Sequence, residues 1–438
     1  MASTNGHKVH STPSVPRNGR GIPPSHDRAR ANDRALSYDR TGQRPNGGRP
    51  VGAEHGSLVS PHLLRPVSER PLRIAMVMPP WLEVPPAGYG GMERVCASLI
   101  DGLIDLGHEV TLFGAGTRTG TKARFVSTDP NLQYPRLLEA VPELVHIAHV
   151  NRILDEEEFD IIHDHSTVGP ITAPMRRVPT VVTVHDSPVG KVGEYLSQID
   201  SKVSLVAISH AQRRVAPHLA WYATIHHGIE VPGPVKREAS TGPVLWLGRF
   251  VADKGPDIAI EACRKANLPL VLAGKANQKD EWKYLDEVIR PMLGPDVELV
   301  LNGERERTEA LLYEARALLL PIRWDEPFGM VFIEAMSKGT PVVALRRGAV
   351  EEIVVHGRTG LICDDESELP DALHEVVAMD PDECADHVRT MFSVELMARR
   401  YERVYRQVIE EQVVGFGALA ADPFTRDPVV ASARPTRP

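Results

Sequence analysis

The chain has 438 residues, 42% of them apolar and 25% charged, with a formal net charge of -8. Such a length exceeds one ordinary domain, and the mixture is that of a globular protein, so two cored domains with tails are expected. The acidic balance excludes a dedicated nucleic-acid binder, whose basic field must offset phosphate charge. Cys96, Cys263, Cys363 and Cys384 are scattered with no close pair, which points to a reducing compartment and offers no structural zinc site. The apolar runs are strand-length and the N-terminus lacks a signal-peptide core, so a cytoplasmic protein is expected.

Residues 1–70 are rich in Pro, Gly, Ser, Asn and Arg without apolar periodicity and are expected to be a disordered tail. A role in membrane or partner attachment stays open there. Order begins at "PLRIAMVMPPW", followed by the glycine-rich "PPAGYGGMER" and a helix carrying Val95, Leu99, Leu103 and Leu106 on one stripe, with Gly107 as its stop. "EVTLFG", "FDIIHDH", "PTVVTVHD", "VSLVAIS" and "YATIHHGI" continue an alternating strand and helix pattern through residues 71–232. A polar break at 233–242 is followed by the same alternation across 243–392: "VLWLGRF", "LPLVLAG", "VELVLNG", "LLLPI", "PVVAL" and "TGLIC", with helices between. Two parallel sheets covered on both faces are implied, with ligands at the carboxyl ends of the strands. A helix at 393–414 carries Leu396, Tyr401, Val404, Tyr405 and Val408, and 415–438 reads as a second tail.

Three constellations carry chemistry. Gly88, Gly90 and Gly91 precede a helix, and close backbone approach with free N–H groups suits a phosphate. The spacing G-x-G-G-M-E departs from the dinucleotide pattern G-x-G-x-x-G, and no acidic residue ends the following strand. Arg249 ends a strand and Lys254 precedes a helix, a guanidinium fork and an ammonium suited to a diphosphate. In "WDEPFGMVFIEAMSKGTPVVAL", Phe328, Gly329 and Met330 open a helix whose N–H groups can receive oxygens, while Glu326 and Glu334 can accept bonds from hydroxyls. A purely structural alternative has Asp325 or Glu326 capping the helix, Glu334 pairing with Lys338, and Gly339 ending it. The cations Arg118, Lys122, Arg124, Arg176 and Arg177 read either as solvated charge or as a face for an anionic acceptor or membrane.

On "GRFVADKG", the Glu326 and Glu334 pair with "SKGTPVVA", and "GYGGMER", "FDIIHDHS" and "ISHAQRR", the chain closely resembles retaining glycosyltransferases of family 4 from about Leu72 to Gln407. The resemblance implies an α/β fold of GT-B architecture, two Rossmann-like domains facing across a cleft. It implies that Glu326 and the N–H groups of Phe328, Gly329 and Met330 hold the donor hexose, that Glu334 holds the nucleotide ribose, and that Arg249 and Lys254 take the diphosphate. Gly90 and Gly91 would meet the distal phosphate, and His185 would lie close to the transferred sugar in a positioning role. It further implies a nucleotide-sugar donor, UDP-glucose or similar, no cofactor, no metal, and a terminal helix that crosses back onto the first domain. A metal reading through His163, Asp164, His165, His185 and Asp186 defines no open triad. The acceptor, whether small molecule, saccharide or lipid, is not named by these residues. A nucleotide-sugar epimerase or phosphorylase on the same architecture, or a non-catalytic binding module, are the alternatives, and no lysine suited to pyridoxal stands out.

Overall fold

The structure, a computed structural model, describes residues 70–86, 88, 90–137, 139–231, 233 and 241–420, the side chains of 413–420 excepted. The tail expected over residues 1–70 falls, but for Arg70, outside the described residues.

Among the described residues, thirteen strands form two wholly parallel sheets. The first contains β1 (Arg73–Val77), β2 (Glu109–Ala115), β3 (Arg124–Asp129), β4 (Ile161–Asp164), β5 (Thr180–Val184), β6 (Ser204–Ala207) and β7 (Trp221–Thr224), in the order β3-β2-β1-β4-β5-β6-β7. The second contains β8 (Val244–Arg249), β9 (Leu270–Lys275), β10 (Val297–Leu301), β11 (Leu318–Leu320), β12 (Val342–Leu345) and β13 (Gly360–Cys363), in the order β10-β9-β8-β11-β12-β13. Every strand of the sequence reading is present, and β3, at the sheet edge, is an addition to it.

β1 shows why the inner strands are continuous apolar runs. Ile74, Met76 and Met78 pack on one face of the sheet against Val95, Leu99 and Leu103 of the Gly91–Asp105 helix. Ala75 and Val77 point to the other face and join Phe113, Ile147 and Val150. Both faces are therefore buried, so the two-residue period is invisible in the sequence.

In each sheet the chain first moves outward and then returns beside its starting strand. The reversal falls between β1 and β4 in the first sheet and between β8 and β11 in the second. Such reversals open a crevice beyond the carboxyl ends of the two strands, because their following segments turn to opposite sides. The segments after β1, β4, β8 and β11 hold almost every residue singled out above.

The terminal helix runs Val394–Ala420, past Gly415, where a tail was expected to begin. Its Met397, Ala398, Tyr401, Val404, Tyr405, Val408 and Ile409 belong to the core of the first sheet. Gly102 permits the approach: a Cβ there would lie 2.8 Å from Val394 Cγ1 and 3.1 Å from Ala398 Cβ. The crossing from the second half back to the first is tied to the outgoing one, with the Ile229 N–H donating to Phe392 O at 2.9 Å and a parallel bridge joining Ile229 to Ser393.

Buried polar groups on the terminal helix are satisfied by the first sheet. Tyr401 OH and Thr183 Oγ1 are 2.8 Å apart, Tyr405 OH lies 2.6 Å from His163 Nδ1, and His163 Nε2 lies 2.8 Å from Thr183 Oγ1. Burial pushes the His163 pKa well below the ordinary value, and the nearby His185 adds to the effect. An imidazole of depressed pKa refuses a proton that the unfolded chain accepts below about pH 6.5, so its contribution to stability falls as pH drops through that window. His163→Gln should therefore be less stable at pH 8. Its unfolding free energy should also decline less steeply between pH 6.5 and 4.5, by up to about 1.4 kcal/mol per pH unit. Urea denaturation at a series of pH values measures both.

Candidate active site

The second crevice is built by two segments held against each other. After β8 the chain runs through Lys254 to Gly255, which adopts φ +64° and lies so close to the β11 segment that a Cβ would sit 2.1 Å from Pro321 O. Only glycine fits that approach. Trp246, fully buried in β8, donates its indole N–H to Lys254 O at 2.9 Å. Arg323, after β11, makes two 2.7 Å bonds to Asp257 and a third to Ala252 O at 2.9 Å. Burial works to raise the Asp257 pKa, but bonds from Arg323 and Tyr284 outweigh it and leave it lowered. The backbone on both sides of the crevice is thereby fixed by charge-assisted bonds.

Within that frame Lys254 Nζ and Glu326 Oε2 form an ion pair whose side chains are 18% and 13% exposed. Trp324 donates its indole N–H to the same oxygen at 2.9 Å, and its ring lies under Lys254 Nζ at 5.3 Å. Glu326 is backed by Gly348 at φ +52°, where a Cβ would come within 2.3 Å of Glu326 O. Arg249, at the end of β8, pairs with Glu281 at 3.2 Å. Glu281 is held in turn by the N–H groups of Asn277 at 2.6 Å and Gln278 at 3.2 Å.

The Met330–Ser337 helix starts after Gly329 at φ +90°, with no side-chain cap. The structural alternative for this stretch fails at its cap: Asp325 accepts from the Gly348 N–H, and the helix has no side-chain cap. Lys338 Nζ reaches Glu309 at 3.8 Å, and its charge also acts on Glu334. Gly339 does end the helix, at φ +77°. Glu334 is half-buried, and burial raises its pKa against the opposing charges of Arg94 and Arg305. Arg94 belongs to the first half, in the first turn of the helix that follows the glycine loop. Its Nη2 donates to Gly88 O at 2.8 Å. A Cβ on Gly88 would sit 3.1 Å from Lys275 Nζ at the end of β9, so the glycine loop lies against the mouth of the second sheet. At Gly91 a Cβ would meet nothing within 4 Å.

His185, just after β5, is 2.9 Å from His165 Nδ1 through its Nε2. Burial lowers its pKa to about 4. Its ring stacks on His227 with centroids 5.4 Å apart, and His227 meets the Phe328 ring edge-on at 5.0 Å. That stack carries His185 to the turn that opens the Met330–Ser337 helix. Glu352 of the second half makes a further tie, accepting from the N–H groups of His210 at 2.8 Å and Ala211 at 2.6 Å and lying 2.9 Å from His226 Nε2. Lys254 and Glu326 thus meet beside the Phe328–Met330 turn, Arg249 stands next to Lys275 where Gly88 approaches, Arg94 acts on Glu334 from the first half, and the His185–His227 stack reaches Phe328. Glu281, Trp324, Arg94, Lys275 and Gly348 are the additions of the structure. Trp324 and Arg94 stood inside the quoted motifs, Lys275 and Gly348 lie just past quoted stretches, and Glu281 comes from a separate helix.

Other readings are corrected. Arg176 is a buried structural residue, paired with Asp164 at 3.0 Å, while Lys122 pairs with Asp105 and Arg124 with Glu157. Asp164 also accepts from Ser166 at 2.6 Å, and the two ring nitrogens of His163 are bonded with Tyr405 and Thr183. All four cysteines are free and buried, and no helix among the described residues is long and apolar enough to cross a membrane.

Comparison with known proteins agrees with this geometry. Residues 89–237 match the model described as Glycosyltransferase Family 4, and residues 237–386 match glycosyl transferases group 1. The chain is 26% identical to glycogen synthase of Mycobacterium tuberculosis, over 67% of this chain and 82% of that protein. It is 25% identical to D-inositol 3-phosphate glycosyltransferase of Pseudarthrobacter chlorophenolicus, over 65% of this chain and 80% of that one. Its fold is similar to that of Anabaena HepE, solved in complex with UDP and glucose, with TM-score 0.58 and 18% identity over 76% of this chain and 98% of that one. Two matching models that meet at residue 237, on two parallel sheets that share a gap, establish that the chain belongs to the family 4-like glycosyltransferases of GT-B architecture.

Proposed function

We propose that the protein is a retaining hexosyltransferase that takes a hexose from a nucleotide diphosphate sugar of the UDP-glucose class and delivers it to an acceptor hydroxyl. It needs no metal ion and no cofactor. The observation that carries this reading is the second crevice: Arg249 and Lys254 on one side, Glu326 and the uncapped Phe328–Met330 turn on the other, with the Gly88–Gly91 loop opposite. The complex of HepE with UDP and glucose supports a donor of this kind.

In this reading the diphosphate exchanges for Glu326 as the partner of Lys254. The ammonium and the Arg249 guanidinium then stabilise the charge that builds on the phosphate as the glycosidic bond breaks. Glu326, released to the sugar, accepts from its hydroxyls beside the N–H groups of Phe328, Gly329 and Met330. Glu334 takes the ribose hydroxyls, and its raised pKa suits a carboxyl that bonds neutral groups. Gly90 and Gly91 receive the distal phosphate at the free N–H groups of their helix. His185, neutral at physiological pH, positions the sugar. Trp324 keeps its bond to Glu326 Oε2, which holds that carboxylate on the sugar hydroxyls, and the acceptor attacks on the face the diphosphate leaves, the departing oxygen taking its proton. The reaction is placed in the cytoplasm, free or at the inner membrane face; the four reduced, buried cysteines support that compartment.

The test is a matrix of nucleotide sugars against saccharide, small-molecule and lipid acceptors with EDTA present, the anomeric linkage being read by NMR. Product of retained configuration is expected; an inverted product, an absolute metal requirement, or an epimer formed from donor alone would overturn the reading. Gly91 supplies a second check. Because a Cβ there meets no protein atom within 4 Å, Gly91→Ala should leave the melting temperature within a degree or two. It should raise donor KM about tenfold by crowding the phosphate, and KM unchanged would remove Gly91 from the site.

A further inference from the structure

One set of metal-ligating side chains lies on the first half, at the floor of the cleft. Cys96 comes from the buried face of the Gly91–Asp105 helix, His165 from the end of β4, and His185 from the end of β5. Cys96 Sγ is 3.5 Å from His165 Nδ1, His165 Nδ1 is 2.9 Å from His185 Nε2, and the three ligand atoms all lie within 4.8 Å of one another. A tetrahedral zinc with bonds of about 2.3 Å to sulfur and about 2.0 Å to nitrogen places its ligands roughly 3.6 Å (S to N) and 3.3 Å (N to N) apart. The Cys96 Sγ to His165 Nδ1 distance already matches, the two rings need to part by only a few tenths of an ångström, and His185 Nε2 starts within 4.8 Å of Cys96 Sγ.

The surroundings favour the same chemistry. His165 Nε2 lies 3.1 Å from Met76 Sδ, which keeps the proton on that nitrogen and leaves Nδ1 as the lone-pair donor. Glu93 lies buried one turn before Cys96 on the same helix, where a nearby cation would favour its ionised form. His185 is half-buried and is the member nearest the cleft, so an ion arrives from that side.

We propose that Cys96, His165 and His185 bind a divalent ion of the zinc class, with its fourth position open to the cleft, and that the bound ion blocks sugar transfer. Binding releases the thiol proton to solvent and moves the His185 ring proton to Nδ1, so that Nε2 can coordinate. The metal then fixes a ring that the transferase reading assigns to sugar positioning, and the blocking half of the proposal rests on that reading. This is an inhibitory site, compatible with a reaction that uses no metal.

Cobalt titration of the full-length, reduced protein tests binding without any assay of turnover. One equivalent of Co2+ should give a thiolate-to-cobalt charge-transfer band and the visible bands of tetrahedral cobalt. Cys96→Ala should lose the charge-transfer band and weaken binding by about 100-fold or more, since even outer-shell partners are worth 10 to 100-fold. His165→Asn serves as the second variant if Cys96→Ala does not melt cooperatively. Zn2+ at low micromolar concentration should suppress transfer by the wild type and leave Cys96→Ala active. Absence of a band at stoichiometric cobalt, or its persistence in Cys96→Ala, overturns the site. A normal band with zinc inhibiting both proteins alike overturns the blocking role alone, whereas failure of the transferase reading would appear as no transfer even without metal.

Discussion

Replacing Lys254 with alanine should lower kcat/KM for transfer about a thousandfold, the order expected when one preorganised charge is removed from a developing anion. It should also cost stability, because Glu326 would keep its charge at 13% exposure with only the Trp324 indole as a donor. A fully buried pair loses 3–5 kcal/mol when one partner is removed; with both side chains partly in contact with water, about 2 kcal/mol is the expected loss. The double variant Lys254→Ala with Glu326→Gln should recover most of that stability and none of the turnover. Arg249→Ala is the cleaner companion. Glu281 keeps the N–H groups of Asn277 and Gln278, so the fold should be nearly unaffected while activity falls about a hundredfold. Steady-state kinetics beside thermal melts separate the two effects, and near-normal turnover in both single variants would refute the diphosphate role.

Truncation after Ser393 should have the largest effect on folding. It removes Met397, Ala398, Tyr401, Val404, Tyr405, Val408 and Ile409 from the core of the first sheet and uncovers Val95, Leu99 and Leu103. At about 1.5–3 kcal/mol for each large side chain, the loss is on the order of 10 kcal/mol, comparable with the whole stability of a typical domain. His163 and Thr183 would also lose their tyrosine partners inside the sheet. The expected result is a chain whose first half shows no cooperative melt by circular dichroism, and a peptide of residues 394–420 supplied in excess should restore it. A soluble, fully active truncation would show that the helix only decorates the surface.

The fold was legible because the inner strands are short apolar runs separated by segments that no strand can span, which leaves a parallel sheet as the solution. β3 escaped because Arg124, Phe125, Val126 and Ser127 lie at an edge and are incompletely buried, so the run mixes polar and apolar residues. The terminal helix was cut short at Gly415 by its two glycines. Each costs about 1 kcal/mol against alanine. The candidate cluster around Lys254 and Glu326 was legible as a cluster because its residues fall in two short stretches on either side of one chain reversal. Glu281 gave no sign of holding Arg249, since it reaches that site from a separate helix. Cys96, His165 and His185 are likewise brought together only by the packing of one helix on the ends of two strands, and no spacing in a single sequence encodes such a meeting.

Where the chain leaves the first half and where it comes back, the two strands of polypeptide are bonded side by side at Ile229 and Phe392–Ser393. Any opening of the gap that keeps this seam and the bonds from His210 and Ala211 to Glu352 must turn about those ties, so the parts of the two halves farthest from them should move most.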